Sequence, residues 1–176
     1  MIIMEISNLK PYIQRYDSEA KDYKEFDDMV ANFRNKTFLT KSELLRIAKW
    51  KLRRVWFPKH RKEIESNPDS IIEKTTQRAI KEADDKKRIE ILTALNGIGI
   101  PVASSVLTVL YPKEYAVFDI NGWYALYDEE KKSFSLEDFI RYTQDVRGIC
   151  KNQDLTAREV DKGIFVLGRD KRNNRF

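Results

Sequence analysis

Two glycines and one aspartate are the residues of this sequence whose types and spacing suit chemistry on a phosphate-containing substrate. Gly97 and Gly99 lie in segment 95–103, which reads Leu-Asn-Gly-Ile-Gly-Ile-Pro-Val-Ala between two helical patterns. Glycine lacks a Cβ, so a tight turn there can bring backbone amides close to a phosphate, as the N-terminus of a helix does. Asp119 follows sixteen residues after Ala103, where an apolar segment ends and another helix is expected to begin. The pattern predicts a hairpin that binds a phosphate backbone and one positioned carboxylate.

A lone carboxylate in apolar surroundings has two chemical uses beside a nucleotide. Asp119 could stabilise the positive charge that develops on a sugar as its base leaves, or it could orient and deprotonate a water molecule. A base in a duplex must leave the stack first, which requires a pocket and a wedge. Two plainer interpretations stay open: the glycine segment is only a tight turn, and Asp119 is only a helix N-cap that contributes about 1 kcal/mol to stability.

A basic, aromatic segment precedes the hairpin. Residues 46–62 contain eight lysines and arginines and no acidic residue. Cations interleaved with aromatic rings suit a surface that follows a nucleic-acid backbone and stacks on bases. The alternative is a solvated helix whose tryptophans belong to the core, although Trp50 or Trp56 could also line a base pocket. The residues expected to contact DNA are Lys49, Arg53, Arg54, Lys59, His60 and Arg61.

A continuous helix over this segment would turn its apolar residues to the core and its cations to solvent. The expected core residues are Ala48, Leu52, Val55 and Trp56, and the expected surface cations are Lys49, Lys51, Arg53 and Arg54.

The composition indicates a globular protein of a reducing compartment. The chain has 176 residues, 41% of them hydrophobic, and its formal net charge of +5 favours a polyanionic partner. The single cysteine, Cys150, excludes an internal disulfide and a four-cysteine zinc or iron–sulfur site within the chain. His60 is the only histidine, and no metal site made of side chains is expected around it. We expect no cofactor, no signal peptide or membrane segment, a cytoplasmic or nucleoid-associated location, and a monomer.

Helical periodicity runs through almost the whole chain and predicts an all-α fold of about eight or nine short helices. Capping-box patterns at Thr40, Ser135 and Thr156 predict three helix starts. Pro58 is expected to end the helix that begins after Thr40, and Gly168 to cap the last helix. We treat residues 1–176 as a single unit with two lobes. These lobes are residues 40–127, with the hairpin at 88–127, and residues 1–39 together with 128–176.

Segment 95–103 resembles the hairpin of the helix-hairpin-helix DNA glycosylase superfamily, the endonuclease III-like fold, whose pattern is Leu-Pro-Gly-Val-Gly-x-x-Thr-Ala or close to it. In that superfamily an invariant aspartate follows at the start of the next helix, and residues 117–119 (Val-Phe-Asp) fall at that spacing. The resemblance implies a compact, two-lobed helical fold that binds duplex DNA and excises a damaged or mismatched base, with Asp119 as the catalytic residue. It also implies contacts to the DNA backbone from Gly97, Ile98, Gly99 and Ile100, and a monovalent cation held by the carbonyls of Leu95, Gly97 and Ile98.

Three departures from the superfamily pattern limit what the resemblance implies. Pro101 stands where members with lyase activity carry a lysine, and proline cannot form a Schiff base. The resemblance therefore implies a monofunctional glycosylase, which hydrolyses the N-glycosidic bond with water and does not cut the strand. Asn96 replaces the hairpin proline, and the cysteines of the iron–sulfur members are absent.

Two other functions stay open at this point. One is a non-catalytic helix-hairpin-helix module that binds DNA without chemistry. The other is a helical protein-interaction domain whose basic surface binds an acidic partner. No motif indicates which base a glycosylase of this sequence would remove.

Overall fold

The computed structural model describes residue 6, residues 8–19 and residues 21–174, and this part of the chain contains helices and loops but no strand. For residues 21, 22, 54 and 55 only the backbone is described, so the predictions for the side chains of Arg54 and Val55 lie outside the described residues. The all-α prediction is confirmed. The described helices are α1 (Lys10–Glu19), α2 (Lys21–Phe33), α3 (Lys41–Glu65), α4 (Asp69–Lys81), α5 (Asp85–Thr93), α6 (Ile100–Leu110), α7 (Ile120–Tyr127), α8 (Leu136–Gln153) and α9 (Ala157–Asn173).

Side-chain caps begin five of these helices. Thr40, Ser135 and Thr156 form the predicted capping boxes, in which the cap hydroxyl and an acidic side chain three residues later exchange hydrogen bonds with each other's backbone. Asp84 and Asp119 cap α5 and α7 through their carboxylates. Each cap satisfies N–H groups that the first helical turn leaves unpaired, and this determines where the helix begins.

Helix α3 extends through Pro58 to Glu65, so the prediction that Pro58 ends this helix is wrong. The backbone is instead interrupted at Arg53, whose φ of 52° and ψ of −161° are not helical. A proline ring crowds the carbonyl of the residue four positions earlier, and that residue directly follows Arg53. The interruption therefore lies beside the turn that Pro58 would distort, and the helix resumes after it.

The same interruption explains why Trp56 is not a core residue, contrary to the prediction. Its side chain is 60% exposed, whereas Ala48 is buried and Leu52 packs partly buried against the core. The prediction that these residues share a buried face assumed a continuous helix. Because a non-helical residue separates Leu52 from Trp56, the two parts of α3 present different faces to the core.

Helix α6 is the centre of the core, since every residue from Val102 to Leu110 is buried. It packs against α2, α3 and α5. Helices α1, α7 and α8 pack against α9. Trp123 and Tyr124 of α7 are buried. Among the helices described, none combines the length and the apolar character needed to cross a bilayer.

Gly168 is not a C-cap, because α9 continues past it to Asn173. It lies buried where α9 meets the start of α7, and a Cβ at this position would be 1.8 Å from the carbonyl oxygen of Asn121. The glycine is required because two helix backbones approach each other closely. The sequence alone could not distinguish this packing role from a capping role.

Replacing Gly168 with alanine is expected to lower the free energy of unfolding by about 3 kcal/mol, because the new methyl group overlaps a backbone carbonyl that cannot move aside. Gly148→Ala is the matched control, since a Cβ at position 148 in α8 meets nothing within 4 Å. That control should stabilise the protein by roughly 1 kcal/mol, as alanine does in an exposed helix. Thermal and urea unfolding of both variants measure the difference, and equal effects would contradict the packing role.

Candidate active site and nucleic-acid interface

Residues 94–99 form a tight turn that joins α5 to α6. Gly97 has a φ of 79°, and the N–H of Ile98 donates to the carbonyl of Leu95 at 3.2 Å. A Cβ on Gly97 would lie 2.8 Å from Cγ1 of Ile64 in α3. Glycine is required at position 97 both by the left-handed backbone and by this close approach.

A buried asparagine, Asn67, anchors this turn to the end of α3. The side chain of Asn67 accepts from the N–H of Asn96 and donates to the carbonyl of Asn96, each at 3.0 Å. It also donates to the carbonyl of Ile64 at 2.9 Å. The side-chain amide of Asn67 thus forms the hydrogen bonds that a neighbouring peptide group would form, and it links the turn to the end of α3. No pattern in the sequence indicated this role for Asn67.

The turn leads directly into the N-terminus of α6. Gly99 is the N-cap residue, and among the residues that the structure describes no side chain caps the first N–H groups of this helix. Such groups have no partner within the helix and favour an anion. The N–H of Ile98 is already used within the turn, which leaves Gly97, Gly99 and Ile100 to offer theirs. The carbonyl of Leu95 accepts one hydrogen bond and has a second lone pair, so the cation site predicted there stays a prediction.

Asp119 occupies the N-cap position of α7, with backbone angles outside the helical region. Its Oδ1 accepts the N–H of Gly122 at 2.8 Å, which fixes the rotation of the carboxylate. The side chain is 21% exposed and lines a pocket. Because the cap uses only one oxygen, Oδ2 is available to a group in that pocket.

The peptide before Asp119 is held by three helices. Ser104 of α6 accepts the N–H of Phe118 at 3.0 Å, and Tyr142 of α8 donates its hydroxyl to the carbonyl of Val117 at 3.1 Å. Lys51 of α3 donates to the carbonyl of Phe118 at 3.1 Å. Ser104 lies in the first turns of α6, so the same helix end carries the glycine turn and supports the segment that leads to Asp119.

The pocket beside Asp119 has a volume of about 160 Å³. Its aromatic wall is a stacked pair, Tyr16 on Tyr23, whose ring centroids are 4.2 Å apart, with the Phe165 ring edge-on to both. Trp50 also lines it, so one of the two tryptophans proposed for a base pocket is there and Trp56 is not. The pocket combines stacking surfaces with charged groups. The other lining residues are Lys51, Arg53, Val117, Asp119, Ile120, Asn121, Arg158 and Asp161.

Lys51 is not a surface cation, contrary to the prediction. Its side chain is only 11% exposed, and its Nζ lies 3.9 Å from Oδ2 of Asp119. Burial lowers the pKa of this amine, and the nearby Arg53 lowers it further, while Asp119 and Asp161 oppose the shift. A pattern in the sequence could have indicated its position: Leu44, Ile47 and Ala48 are buried, and position 51 continues that row by one helical step.

Arg158 and Asp161 form a buried ion pair at the pocket. Arg158 also donates to the carboxylate of Asp27 at 3.1 Å and to the hydroxyl oxygen of Tyr16 at 2.8 Å. Burial raises the pKa of Asp161 to about 6, although Arg158 opposes the shift. Sequence reasoning missed both residues. The sequence did indicate that they are buried, because both charges lie on the face of α9 that also carries the buried Val160 and Ile164.

The basic segment of α3 lies between the pocket and the glycine turn. Of the residues expected to contact DNA, Lys49, Arg53, Lys59 and Arg61 are exposed. His60 is half-buried with its Nδ1 3.2 Å from Glu63, and Arg61 pairs with Glu65 at 2.7 Å. No ion pair is found for Lys49, Arg53 or Lys59 within the described part of the chain. These three cations therefore keep their charge available to a polyanion.

The fold is similar to that of an 8-oxoguanine glycosylase/lyase from Methanocaldococcus jannaschii, whose structure was solved in complex with a 15mer DNA that contains 8-oxoguanine. The two chains are 19% identical with a TM-score of 0.53, and the match covers 90% of this chain and 88% of that one. The sequence matches no protein-family model and no curated protein. The similarity establishes a glycosylase-like helical fold.

Asn67→Ala is expected to lower the free energy of unfolding by about 2 kcal/mol, because it leaves buried backbone groups of the turn without partners. Amide hydrogen exchange should accelerate at Asn96 and Ile98 in particular. Asn32→Ala is the control, because Asn32 makes one exposed side-chain bond within α2 and should change stability by less than about 0.5 kcal/mol. Unchanged exchange at the turn in Asn67→Ala would contradict the anchoring role.

Proposed function

We propose that this protein is a DNA N-glycosylase that breaks the bond between a damaged or mismatched base and its deoxyribose in duplex DNA. The observation that carries the proposal is the setting of Asp119. Its carboxylate is held by the start of α7 at the edge of an aromatic pocket, and its supporting segment is fastened to the same end of α6 as the glycine turn. A group that binds the DNA backbone and a group that acts on the sugar are thus joined rigidly.

The pocket suits a base that has left the stack. A cavity of about 150 Å³ holds a benzene ring, so the volume of about 160 Å³ here matches one small aromatic ring system. The rings of Tyr16 and Phe165 offer stacking surfaces, and Asn121 lines the pocket with a side-chain amide whose Oδ1 accepts from Arg172. Base-excision enzymes bind an extruded base through such stacking and polar contacts.

In the proposed reaction Asp119 acts on the sugar and on water. As the bond between the base and C1′ lengthens, positive charge grows on the sugar, and a carboxylate nearby stabilises it electrostatically. Oδ2 also accepts a proton from the water molecule that attacks C1′. Pro101 leaves the glycine turn without an amine, which supports water as the nucleophile in base removal and therefore a hydrolase reaction.

The glycine turn and α3 provide a surface for the DNA backbone. The N–H groups at the start of α6 favour a phosphate, and the cations of α3 follow the path from the turn to the pocket. Residues 54–62, which follow the interruption at Arg53, span about 12 Å as a helix, or roughly three to four nucleotide steps along one strand. The similar structure was solved with DNA, which supports duplex DNA as the partner here as well. A role in DNA repair, and a location with the DNA, follow from this proposal.

Asp119→Asn is expected to slow base release at least about a hundredfold while DNA binding and folding persist, because asparagine caps a helix as well as aspartate does. The measurement is single-turnover incubation with duplexes that carry uracil, a thymine–guanine mismatch, 8-oxoguanine, alkylated adenine or hypoxanthine, followed by alkali to reveal abasic sites. Asp84→Asn is the matched control, since Asp84 caps α5 with the same geometry and does not line the pocket.

Activity that survives in Asp119→Asn would contradict the catalytic role of this residue. Binding without product from any duplex would favour the non-catalytic DNA-binding module.

Arg53→Gln and Lys59→Gln are each expected to weaken binding to undamaged duplex DNA and to reduce the slope of log K against log salt by about one, which is the effect of losing one phosphate contact. Lys10→Gln is the control, because Lys10 is exposed on α1, away from the basic segment. Fluorescence anisotropy at several salt concentrations gives the slopes. Equal affinity for duplex DNA and for an unrelated polyanion would favour the protein-interaction domain instead.

A further inference from the structure

Asp161 has a buried carboxylate with one oxygen left for a group in the pocket. Its side chain is 4% exposed, and Oδ2 accepts from Arg158. Within the part of the chain that the structure describes, no donor is found for Oδ1. The residue lines the pocket with Asp119, and the charges of Asp119 and Lys51 act on it there. The ion pair therefore holds the carboxylate in place, and Oδ1 remains as a hydrogen-bond acceptor.

The side-chain amide of Asn121 adds a donor to the same pocket. Its Oδ1 accepts from Arg172 at 2.9 Å, and among the described residues no acceptor is found for Nδ2. Because the nitrogen of a side-chain amide carries two hydrogens, Nδ2 can donate to a carbonyl oxygen of a bound base. The pocket thus offers such a base an acceptor on Asp161 and a donor on Asn121.

This acceptor and this donor match one edge of uracil and of thymine. Both bases carry an N3–H between two carbonyl groups, whereas N3 of cytosine has no hydrogen and is itself an acceptor. A carboxylate accepts from an N–H group and repels the lone pair of a second acceptor. A base that has left the stack is recognised through hydrogen bonds to this edge. The two groups therefore favour a base with an N3–H and disfavour cytosine.

The volume of the pocket favours a single ring. It is about 160 Å³, close to the cavity of about 150 Å³ that binds one benzene ring. A pyrimidine is one ring of that size, whereas a purine carries a second, fused ring. The stacked rings of Tyr16 and Tyr23 and the edge-on ring of Phe165 bound the space. A purine such as 8-oxoguanine therefore needs more room than this pocket provides.

We propose that the base bound here is a uracil or thymine opposite guanine, and that Asp161 is the residue that determines this specificity. Oδ1 of Asp161 accepts from N3–H, and Nδ2 of Asn121 donates to a neighbouring carbonyl oxygen. Extrusion of a mismatched base costs less than extrusion of a paired one, which favours the mismatch over thymine paired with adenine. The inference rests on the proposed function for base removal, but the recognition needs no catalysis. Hydrolytic deamination of cytosine or 5-methylcytosine is the class of reaction that supplies these bases.

The first test measures binding by wild type to duplexes whose target nucleotide carries fluorine at C2′. The fluorine destabilises a cationic sugar and so slows base loss. The target is uracil, N3-methyluracil or cytosine opposite cytosine, and uracil or hypoxanthine opposite guanine, so that no target forms a Watson–Crick pair. N3-methyluracil lacks only the N–H, and hypoxanthine keeps an N–H beside a carbonyl but has two rings. Uracil should bind at least about tenfold more tightly than each of the others in its context.

Asp161→Asn should lose the preference for uracil over cytosine, because an amide can present a donor to the unprotonated N3. Asp27→Asn is the matched control and should keep it, since Asp27 also accepts from Arg158 and does not line the pocket. Fluorescence anisotropy at about pH 8 keeps the wild-type carboxylate ionised, because burial raises the pKa of Asp161 only to about 6. If Asp161→Asn does not fold, the comparison of uracil with N3-methyluracil on wild type decides the question.

Base release from the same duplexes without fluorine separates this inference from the glycosylase proposal. A preference for uracil in binding without release of any base supports the role of Asp161 and contradicts the glycosylase proposal. Release of 8-oxoguanine or hypoxanthine, with equal binding of uracil and N3-methyluracil, overturns this inference and leaves the glycosylase proposal intact. Equal affinity for uracil and cytosine, or a preference that Asp161→Asn retains, also overturns it.

Discussion

The peptide group between Val117 and Phe118 is the constraint on which the site depends. It is buried, so each unmet hydrogen bond would cost about 1–3 kcal/mol. Ser104 accepts its N–H, Tyr142 donates to its carbonyl, and Lys51 donates to the next carbonyl, that of Phe118. Contacts from three different helices leave little freedom for the residue that follows, Asp119.

The hydrogen bond from Phe118 to Ser104 also sets the distance between Asp119 and the glycine turn. Ser104 lies five residues after Gly99 in α6, which is about 8 Å along a helix. The carboxylate therefore lies near the same helix end as the glycine turn. On the other side, Gly168 lets α9 approach the first turn of α7 and pack against the backbone of Asn121, two residues after Asp119. The glycines at 97 and 168 serve a similar purpose, because each leaves out a side chain where the chain approaches another helix closely.

The pocket concentrates charge that the rest of the core excludes. Arg158 and Asp161 are buried as a pair, and the Arg158 guanidinium is satisfied further by Asp27 and Tyr16. Lys51 is buried nearby without such complete pairing. Buried ion pairs seldom stabilise a fold more than apolar residues of similar size would. Their presence around one small aromatic cavity is typical of a site with a function, where perturbed pKa values are common.

Local patterns predicted much of the helical framework. The capping boxes at Thr40, Ser135 and Thr156 and the cap at Asp119 were readable because a cap involves only residues three positions apart. The helical nature of nearly every element followed from periodicity in the same way. The extent of α3 was not readable, because helix rules judge Pro58 by its immediate neighbours and did not anticipate an interruption at Arg53.

The sequence by itself determined the fold class, the glycine turn and the position of Asp119 at the start of a helix, since these depend on backbone conformation and on neighbours a few residues away. Only the tertiary structure decided that Lys51 enters the pocket, that Trp56 faces solvent and that Asn67 anchors the turn. These placements depend on contacts between residues far apart in the chain, and periodicity cannot show which partner a helix face will meet. Cofactor, cation and oligomeric predictions stay predictions. The aromatic and charged pocket likewise exists only because α1, α2, α3, α7 and α9 converge there.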